Sequence, residues 1–120
     1  MRVSIPGQDR VIAHYGEEAQ SMIHMEECGE LIQAVSKMRR AKAAYIAGAQ
    51  VDDNAAYYNL LEEMADVLIC MEQMKEIYGI SDFELQKIVD RKVKRQETRL
   101  DESERRLFEK QPVYRLWCGY

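Results

Sequence analysis

The sequence IHMEECGELIQAVSKM, residues 23–38, combines the apolar spacing of a helix with a group of acidic residues. Its apolar side chains recur every three or four positions, which places them on one helix face. The apolar residues of this face are Ile23, Leu31, Ala34 and Met38. At about 100° per residue, Glu27 and Glu30 project from the same face, and Glu26 lies toward its edge. A helix that buries this face therefore brings carboxylates toward the protein core.

A second stretch of the chain repeats this arrangement. Residues 59–74 read NLLEEMADVLICMEQM, and Glu63 and Asp66 project with the apolar side chains of a predicted helix. The apolar residues on that face are Leu60, Val67, Cys70 and Met74. The opposite, solvent-facing side is predicted to carry Glu62, Glu72, Gln73 and Glu76. Two predicted helices thus each place a pair of carboxylates, three residues apart, within an apolar face.

The two inward pairs of carboxylates indicate a metal site. A single glutamate at such a position is usually a residue at the rim of a core, and one acidic pair arises by chance in glutamate-rich helices. Four converging carboxylates are different, because two unit charges about 4 Å apart repel by about 4 kcal/mol at an effective dielectric of about 20. Such a group takes up protons or binds a cation. Ligands made only of oxygen favour Mg²⁺ or Mn²⁺ over zinc, and Mg²⁺ leaves coordination positions for substrate phosphates.

The remaining sequence predicts an all-α protein built from long helices. The first predicted helix spans about residues 17–44, the second spans about 55–78, and a short helix covers residues 8–15. Residues 47–54, AGAQVDDN, form the predicted loop between the two long helices, and its aspartates and asparagine are candidate N-caps. The fold class is therefore a bundle of long helices.

The boundaries of a third long helix are marked by turn and capping residues. Gly79 is predicted to end the second helix. Ser81-Asp-Phe-Glu84 has the form of a capping box, in which a serine and a glutamate each satisfy the other's backbone N–H. The third helix is predicted to begin there and to run past Arg99.

Length and composition set limits on the class of protein. The 120 residues predict one domain, with its core over about residues 14–100 and a C-terminal extension over 101–120. Charged residues make up 32% and apolar residues 47% of the chain, which is typical of a globular protein, and the net charge of −4 argues against nucleic acid or an anionic membrane as a partner. The sequence has no apolar stretch long enough to span a membrane, and its first residues are not those of an apolar secretory leader. The three cysteines lack the spacing of a metal site and are expected to be reduced thiols. These features predict a cytoplasmic protein.

A basic face on the third helix complements the acidic one. Residues 85–100 read LQKIVDRKVKRQETRL, and Lys92, Arg95 and Arg99 fall on one side of the predicted helix. The apolar residues on that side are Leu85, Ile88 and Val89. Taken alone, this is a solvated basic helix whose side-chain stems lie on apolar surface. Beside an acidic metal site, the same cations are suited to holding a polyphosphate, because guanidinium groups and ammonium groups both bind phosphate oxygens.

The acidic motifs resemble a known family. Glu26-Glu27-x-x-Glu30 followed by Glu63-x-x-Asp66 is similar to the EExxE…ExxD signature of the MazG-like group of all-α nucleoside triphosphate pyrophosphohydrolases. The resemblance covers about residues 14–100. Two features depart from the family pattern: the gap between the acidic motifs is longer than in many members, and Asp90 stands where many members have Asn.

The resemblance implies a specific reaction and specific roles. It implies Mg²⁺-dependent hydrolysis, with Mn²⁺ as an alternative ion, of a (d)NTP to the monophosphate and pyrophosphate through attack of a metal-activated water on the α-phosphorus. The metal ligands it implies are Glu27, Glu30, Glu63 and Asp66. Glu26 is the candidate to orient the water or to act as general base, and Lys92, Arg95 and Arg99 are the candidates for phosphate binding. Sites in this group lie at helix-bundle interfaces, and with the broad apolar faces of the helices this implies a homodimer or homotetramer.

Other interpretations of the sequence remain open. A di-iron carboxylate bundle requires Glu-x-x-His pairs, and this chain has none. A phosphoribosyl-ATP pyrophosphatase, or an enzyme similar to the all-α dUTPases and dCTPases, would share the fold and the metal site. A non-catalytic helical interaction protein would keep the helices without turnover.

Overall fold

The computed structural model describes residues 3–50 and 53–110, and all of its regular secondary structure is helical. The four helices are α1 Gln8–Tyr15, α2 Glu17–Ile46, α3 Asn54–Tyr78 and α4 Asp82–Glu109. The predicted all-α class is confirmed, and each predicted helix is present within a few residues of its expected bounds. None of the described helices combines the length and the apolar character that crossing a bilayer requires.

The helix boundaries follow from local chemistry. Gly79 ends α3 in the left-handed conformation, at φ 62°, which glycine adopts without steric cost. The predicted capping box is present at the start of α4, where Ser81 Oγ accepts from the Glu84 N–H at 3.1 Å and Glu84 Oε2 accepts from the Ser81 N–H at 3.1 Å. Asp53 occupies the N-cap position of α3, although its side chain makes no capping hydrogen bond.

The chain divides into two compact units, Met1–Ile80 and Ser81–Tyr120. In the first unit, α2 packs against α3, and the short helix α1 contacts both. The packing of α2 on α3 is antiparallel, because Gln20 contacts Gln73 while Glu27, farther along α2, lies with Asp66, earlier along α3. Among the described residues, only Ala34 and Cys70 are fully buried apolar side chains.

Two glutamines are also buried, and they correct one prediction. Gln73 was predicted on the solvent side of its helix, but only 2% of its surface is exposed. Its Oε1 accepts from Gln20 Nε2 at 2.9 Å, and its Nε2 donates to Gln8 Oε1 at 2.9 Å. The prediction was wrong because α1 and α2 cover this side of α3 and supply matching amides, which a single-helix periodicity does not reveal.

The second unit is described through α4. Every described side chain of α4 is exposed, including a row of large apolar residues. These residues are Phe83, Leu85, Ile88, Val89, Val93, Leu100, Leu107 and Phe108. Residues 111–120, the larger part of the predicted C-terminal extension, lie outside the described residues.

The amide chain generates a prediction about stability. Replacing Gln73→Leu keeps a similar volume but removes the partners of Nε2 of buried Gln20 and of Oε1 of half-buried Gln8. We expect the free energy of unfolding, measured by urea denaturation, to fall by about 1–3 kcal/mol. The matched control is Gln33→Leu on the exposed side of α2, which should change stability by less than about 0.5 kcal/mol. Equal effects of the two substitutions would show that the amide chain does not stabilise the fold.

Candidate metal centre

The antiparallel contact of α2 and α3 brings carboxylates from both helices together. Glu27 of α2 and Glu63 and Asp66 of α3 each offer one carboxylate oxygen, and these atoms all lie within 4.8 Å of one another. All three side chains are half-buried. The predicted convergence of acidic residues from two helices is therefore present for three of the four predicted metal ligands.

Two oxygens of this cluster are buried and lack hydrogen-bond partners. They are Oε2 of Glu27 and Oε2 of Glu63. A buried acceptor without a donor costs about 1–3 kcal/mol, and more when it is charged, so native proteins rarely keep one without a purpose. Unpaired carboxylate oxygens at this spacing suit a hard divalent cation such as Mg²⁺ or Mn²⁺, whose preferred ligands are oxygens. The residues present therefore fit the metal that the sequence predicts.

The electrostatics of the cluster also favour a bound cation. Burial, followed by the charge of Glu30 and a hydrogen bond that a protonated Glu63 donates to Glu30, raises the pKa of Glu63 to about 7, and the charges of Glu27 and Asp66 add to this. Burial also raises the pKa of Glu27, and the charges of Asp66, Glu30 and Glu26 reinforce the shift, although a protonated Glu63 opposes it as a hydrogen-bond donor. Raised carboxyl pKa values of this origin mean that the site lacks positive charge.

The remaining predicted acidic residues lie at the edge of the cluster. Glu30 is exposed and is not one of the three carboxylates that converge, yet its charge acts on both Glu27 and Glu63. Glu26 is exposed on α2 beside Glu27. Glu30 is thus close enough for its charge to raise the pKa of Glu27 and Glu63, although its carboxylate is not among the three that converge.

The predicted phosphate-binding residues belong to the second unit. Lys92, Arg95 and Arg99 are all exposed along α4, and none of them forms an ion pair with a carboxylate in the described part of the chain. Their role as a phosphate clamp stays a prediction.

Two polar residues near the cluster were not assigned a role from the sequence. His24 lies one turn before Glu27 on α2, with its Nδ1 buried and without a partner, and Gln20 lies one turn earlier with a buried, unpartnered Oε1. Nε2 of His24 is 3.9 Å from Sγ of Cys28. The helical arithmetic that selected Glu27 also places Gln20 and His24 near the same face, so this signal was present in the sequence.

A separate cavity lies on the other side of α3. It has a volume of about 460 Å³ and is formed by residues 3–6 together with apolar side chains of α3 that include Leu61, Met64 and Leu68. These side chains project from the side of the helix opposite Glu63 and Asp66. Because the cavity wall is largely apolar and carries no charged side chain, it is not part of the carboxylate cluster.

Comparison with known proteins adds no identification. No protein family, curated protein or solved structure matches the chain. The functional interpretation therefore depends on the residues and their geometry.

The raised pKa of Glu63 generates a prediction about the metal-free protein. Between its ordinary value of 4.5 and about 7, the folded protein retains a proton that the unfolded chain releases. The free energy of unfolding therefore falls as pH rises through this range, and the loss is complete above about pH 7. Replacing Glu63→Gln removes that loss, so the Tm of the variant relative to wild type should rise between about pH 5 and about pH 8.

The control for this experiment is the neighbouring residue. Glu62 is exposed on α3, and Glu62→Gln should give a Tm profile that parallels wild type across the same pH range. A Glu63→Gln profile that also parallels wild type would contradict the raised pKa.

Proposed function

We propose that the protein is a Mg²⁺-dependent nucleoside triphosphate pyrophosphohydrolase that converts a (d)NTP and water to the monophosphate and pyrophosphate. The observation that carries this proposal is the convergence of Glu27, Glu63 and Asp66 from two helices, with oxygen atoms within 4.8 Å. The buried, unpartnered oxygens of two of these residues support a cation as their natural partner. The similarity of the acidic motifs to the MazG-like group supports nucleotide hydrolysis as the reaction.

The proposed metal ligands are Glu27, Glu63 and Asp66, with Glu30 as the fourth. Glu30 is exposed, and its charge acts on Glu63. A bound Mg²⁺ or Mn²⁺ supplies charge stabilisation for phosphate oxygens and increases the acidity of a coordinated water. The ligand side chains set the position of that chemistry, because they are anchored on two packed helices rather than on loops.

Glu26 is the proposed residue for handling the attacking water. It follows the ring of His24 by two residues and precedes the ligand Glu27, and its carboxylate is exposed, so it is accessible to solvent water. A carboxylate in this place accepts a hydrogen bond from water and can take its proton. Exposed Glu26 thus acts on water, whereas its half-buried neighbour Glu27 binds the metal.

Lys92, Arg95 and Arg99 are the proposed phosphate-binding residues. They are exposed and project from α4 without an ion pair among the described residues, so their charges are available to an anionic ligand. Arginine binds phosphate through two parallel hydrogen bonds, and lysine binds it as a point charge.

We also propose that the enzyme is a homodimer or homotetramer. The apolar side chains of α4 are exposed along the helix, from Phe83 at 70% to Phe108 at 45%. Exposed large apolar side chains repeated along one helix are typical of an interaction surface. The same row favours the alternative of a non-catalytic helical interaction protein, which the absence of turnover would distinguish. A phosphoribosyl-ATP pyrophosphatase, or an enzyme similar to the all-α dUTPases and dCTPases, is a further alternative, which a substrate panel distinguishes.

The proposed reaction is tested by its products. A panel of NTPs and dNTPs is incubated with Mg²⁺ or Mn²⁺, and pyrophosphate and orthophosphate are measured separately. Attack at the α-phosphorus yields pyrophosphate and the monophosphate. Orthophosphate as the sole product would contradict the proposal, as would the absence of turnover with every substrate in the panel.

The metal site is tested by one substitution with a matched control. Glu63→Gln keeps the size of the side chain but removes its charge, so metal-dependent pyrophosphate release should fall about a hundredfold or more. Glu62→Gln changes an adjacent, exposed residue of the same helix and should leave the rate within about twofold of wild type. Near-normal turnover by the Glu63 variant would remove this residue from the metal site.

The phosphate clamp is tested on α4. Arg95→Ala removes one bidentate phosphate contact and should raise KM for the nucleotide about tenfold or more, with the melting temperature unchanged. Lys94→Ala removes an exposed cation that projects about 100° away from Arg95 around α4, and its KM should remain close to that of wild type. Equal KM values for the Arg95 and Lys94 variants would indicate that Arg95 contributes only surface charge.

A further inference from the structure

His24 is the one imidazole whose position connects it to the carboxylate cluster within the described residues. It lies three residues before Glu27 on α2, a spacing at which helical side chains are neighbours, with Cβ atoms about 5–6 Å apart. Its Nδ1 is buried and has no hydrogen-bond partner. Oε2 of Glu27 is likewise buried and unpartnered. Two unsatisfied polar atoms thus belong to side chains one helical turn apart.

The other ring nitrogen of His24 has a contact of its own. Nε2 lies 3.9 Å from Sγ of Cys28, one turn farther along α2. Both neutral tautomers allow this contact, because Nε2 either accepts from the thiol or donates to the sulfur. The tautomer protonated at Nδ1 makes the unpartnered nitrogen a donor, and this donor requires an acceptor.

Two buried acceptors lie near enough in sequence to compete for this donor. Gln20 Oε1 is one turn before His24, and Glu27 Oε2 is one turn after it. Gln20 is held through its other amide atom, because its Nε2 donates to Gln73. A hydrogen bond to an ionised carboxylate is roughly twice as strong as one to a neutral amide, so an ionised Glu27 is the better acceptor.

We propose that His24 is a positioning residue for Glu27, donating from Nδ1 to one carboxylate oxygen while the other oxygen binds the divalent cation. This inference rests on the proposed metal site. Ligating carboxylates are usually fixed by a hydrogen bond from a neighbouring group, and loss of that group typically weakens metal binding by about 10–100-fold. His24 would thus orient Glu27 without touching the metal or the substrate.

The test is direct titration with Mn²⁺ in the absence of nucleotide, following the electron paramagnetic resonance signal of the free ion. Two variants separate the ring nitrogens. Asparagine branches at the same atom as histidine and places an amide N–H₂ near the position of Nδ1, whereas glutamine places its amide near the position of Nε2. We expect His24→Gln to weaken Mn²⁺ binding about tenfold or more, and His24→Asn to stay within about threefold of wild type.

The order of the two variants distinguishes positioning from packing. If His24 acted only through its contact with Cys28, the asparagine variant, which lacks an atom at Nε2, would be the weaker binder. Equal affinities of wild type and His24→Gln, or weaker binding by His24→Asn than by His24→Gln, would overturn the inference while leaving the metal site intact. If wild-type protein bound no Mn²⁺, the proposed function and this inference would both fail.

A measurement on the unaltered chain covers the case in which a variant does not fold. Nitrogen NMR of the His24 ring in the Mg²⁺-loaded protein reports which nitrogen carries the proton. Protonation at Nδ1 supports the inference. A neutral ring protonated only at Nε2 would overturn it, because such a ring has no donor to offer Glu27.

Discussion

The central constraint on this molecule is the repulsion among carboxylates that two packed helices bring together. Glu27, Glu63 and Asp66 lie where α2 meets α3, and the helices cannot separate them without losing their contact. Protonation or a cation relieves this repulsion. Burial first, and then the neighbouring carboxylates, raise the pKa of Glu63 and favour its protonation, and a group of carboxylate oxygens suits the second. The same contact that completes the first unit therefore creates its candidate site.

Polar groups occupy two places along the contact between α2 and α3. In one, Gln73 joins Gln20 and Gln8 in a chain of amide hydrogen bonds. The carboxylates lie about two turns farther along α2, with His24 between the two groups. The amide hydrogen bonds favour one alignment of the two helices, because Gln20 and Gln73 meet only in one register. That register also sets the distances among the carboxylates. The amide hydrogen bonds therefore help to hold the geometry of the carboxylate cluster.

Burial is limited in the single chain. Ala34 and Cys70 are the fully buried apolar side chains among the described residues, while the apolar row of α4 is exposed. A chain of 120 residues ordinarily buries more apolar surface than this. The proposed self-association would cover these apolar side chains of α4. The same helix carries the proposed phosphate-binding cations, so both proposals depend on where α4 lies in the assembled protein.

The sequence by itself determined the helices, their ends and the direction of most side chains around each helix. Gly79 and the Ser81–Glu84 capping box act through local backbone geometry, and the inward carboxylates follow from helical periodicity. Periodicity gives the angle of a side chain on its own helix but not the neighbour that faces it. For that reason only the tertiary structure showed that Gln73 is buried by matching amides and that Glu30 stays exposed at the edge of the cluster. The unpartnered Nδ1 of His24 also emerged only there, because burial and pairing depend on the atoms of two helices together.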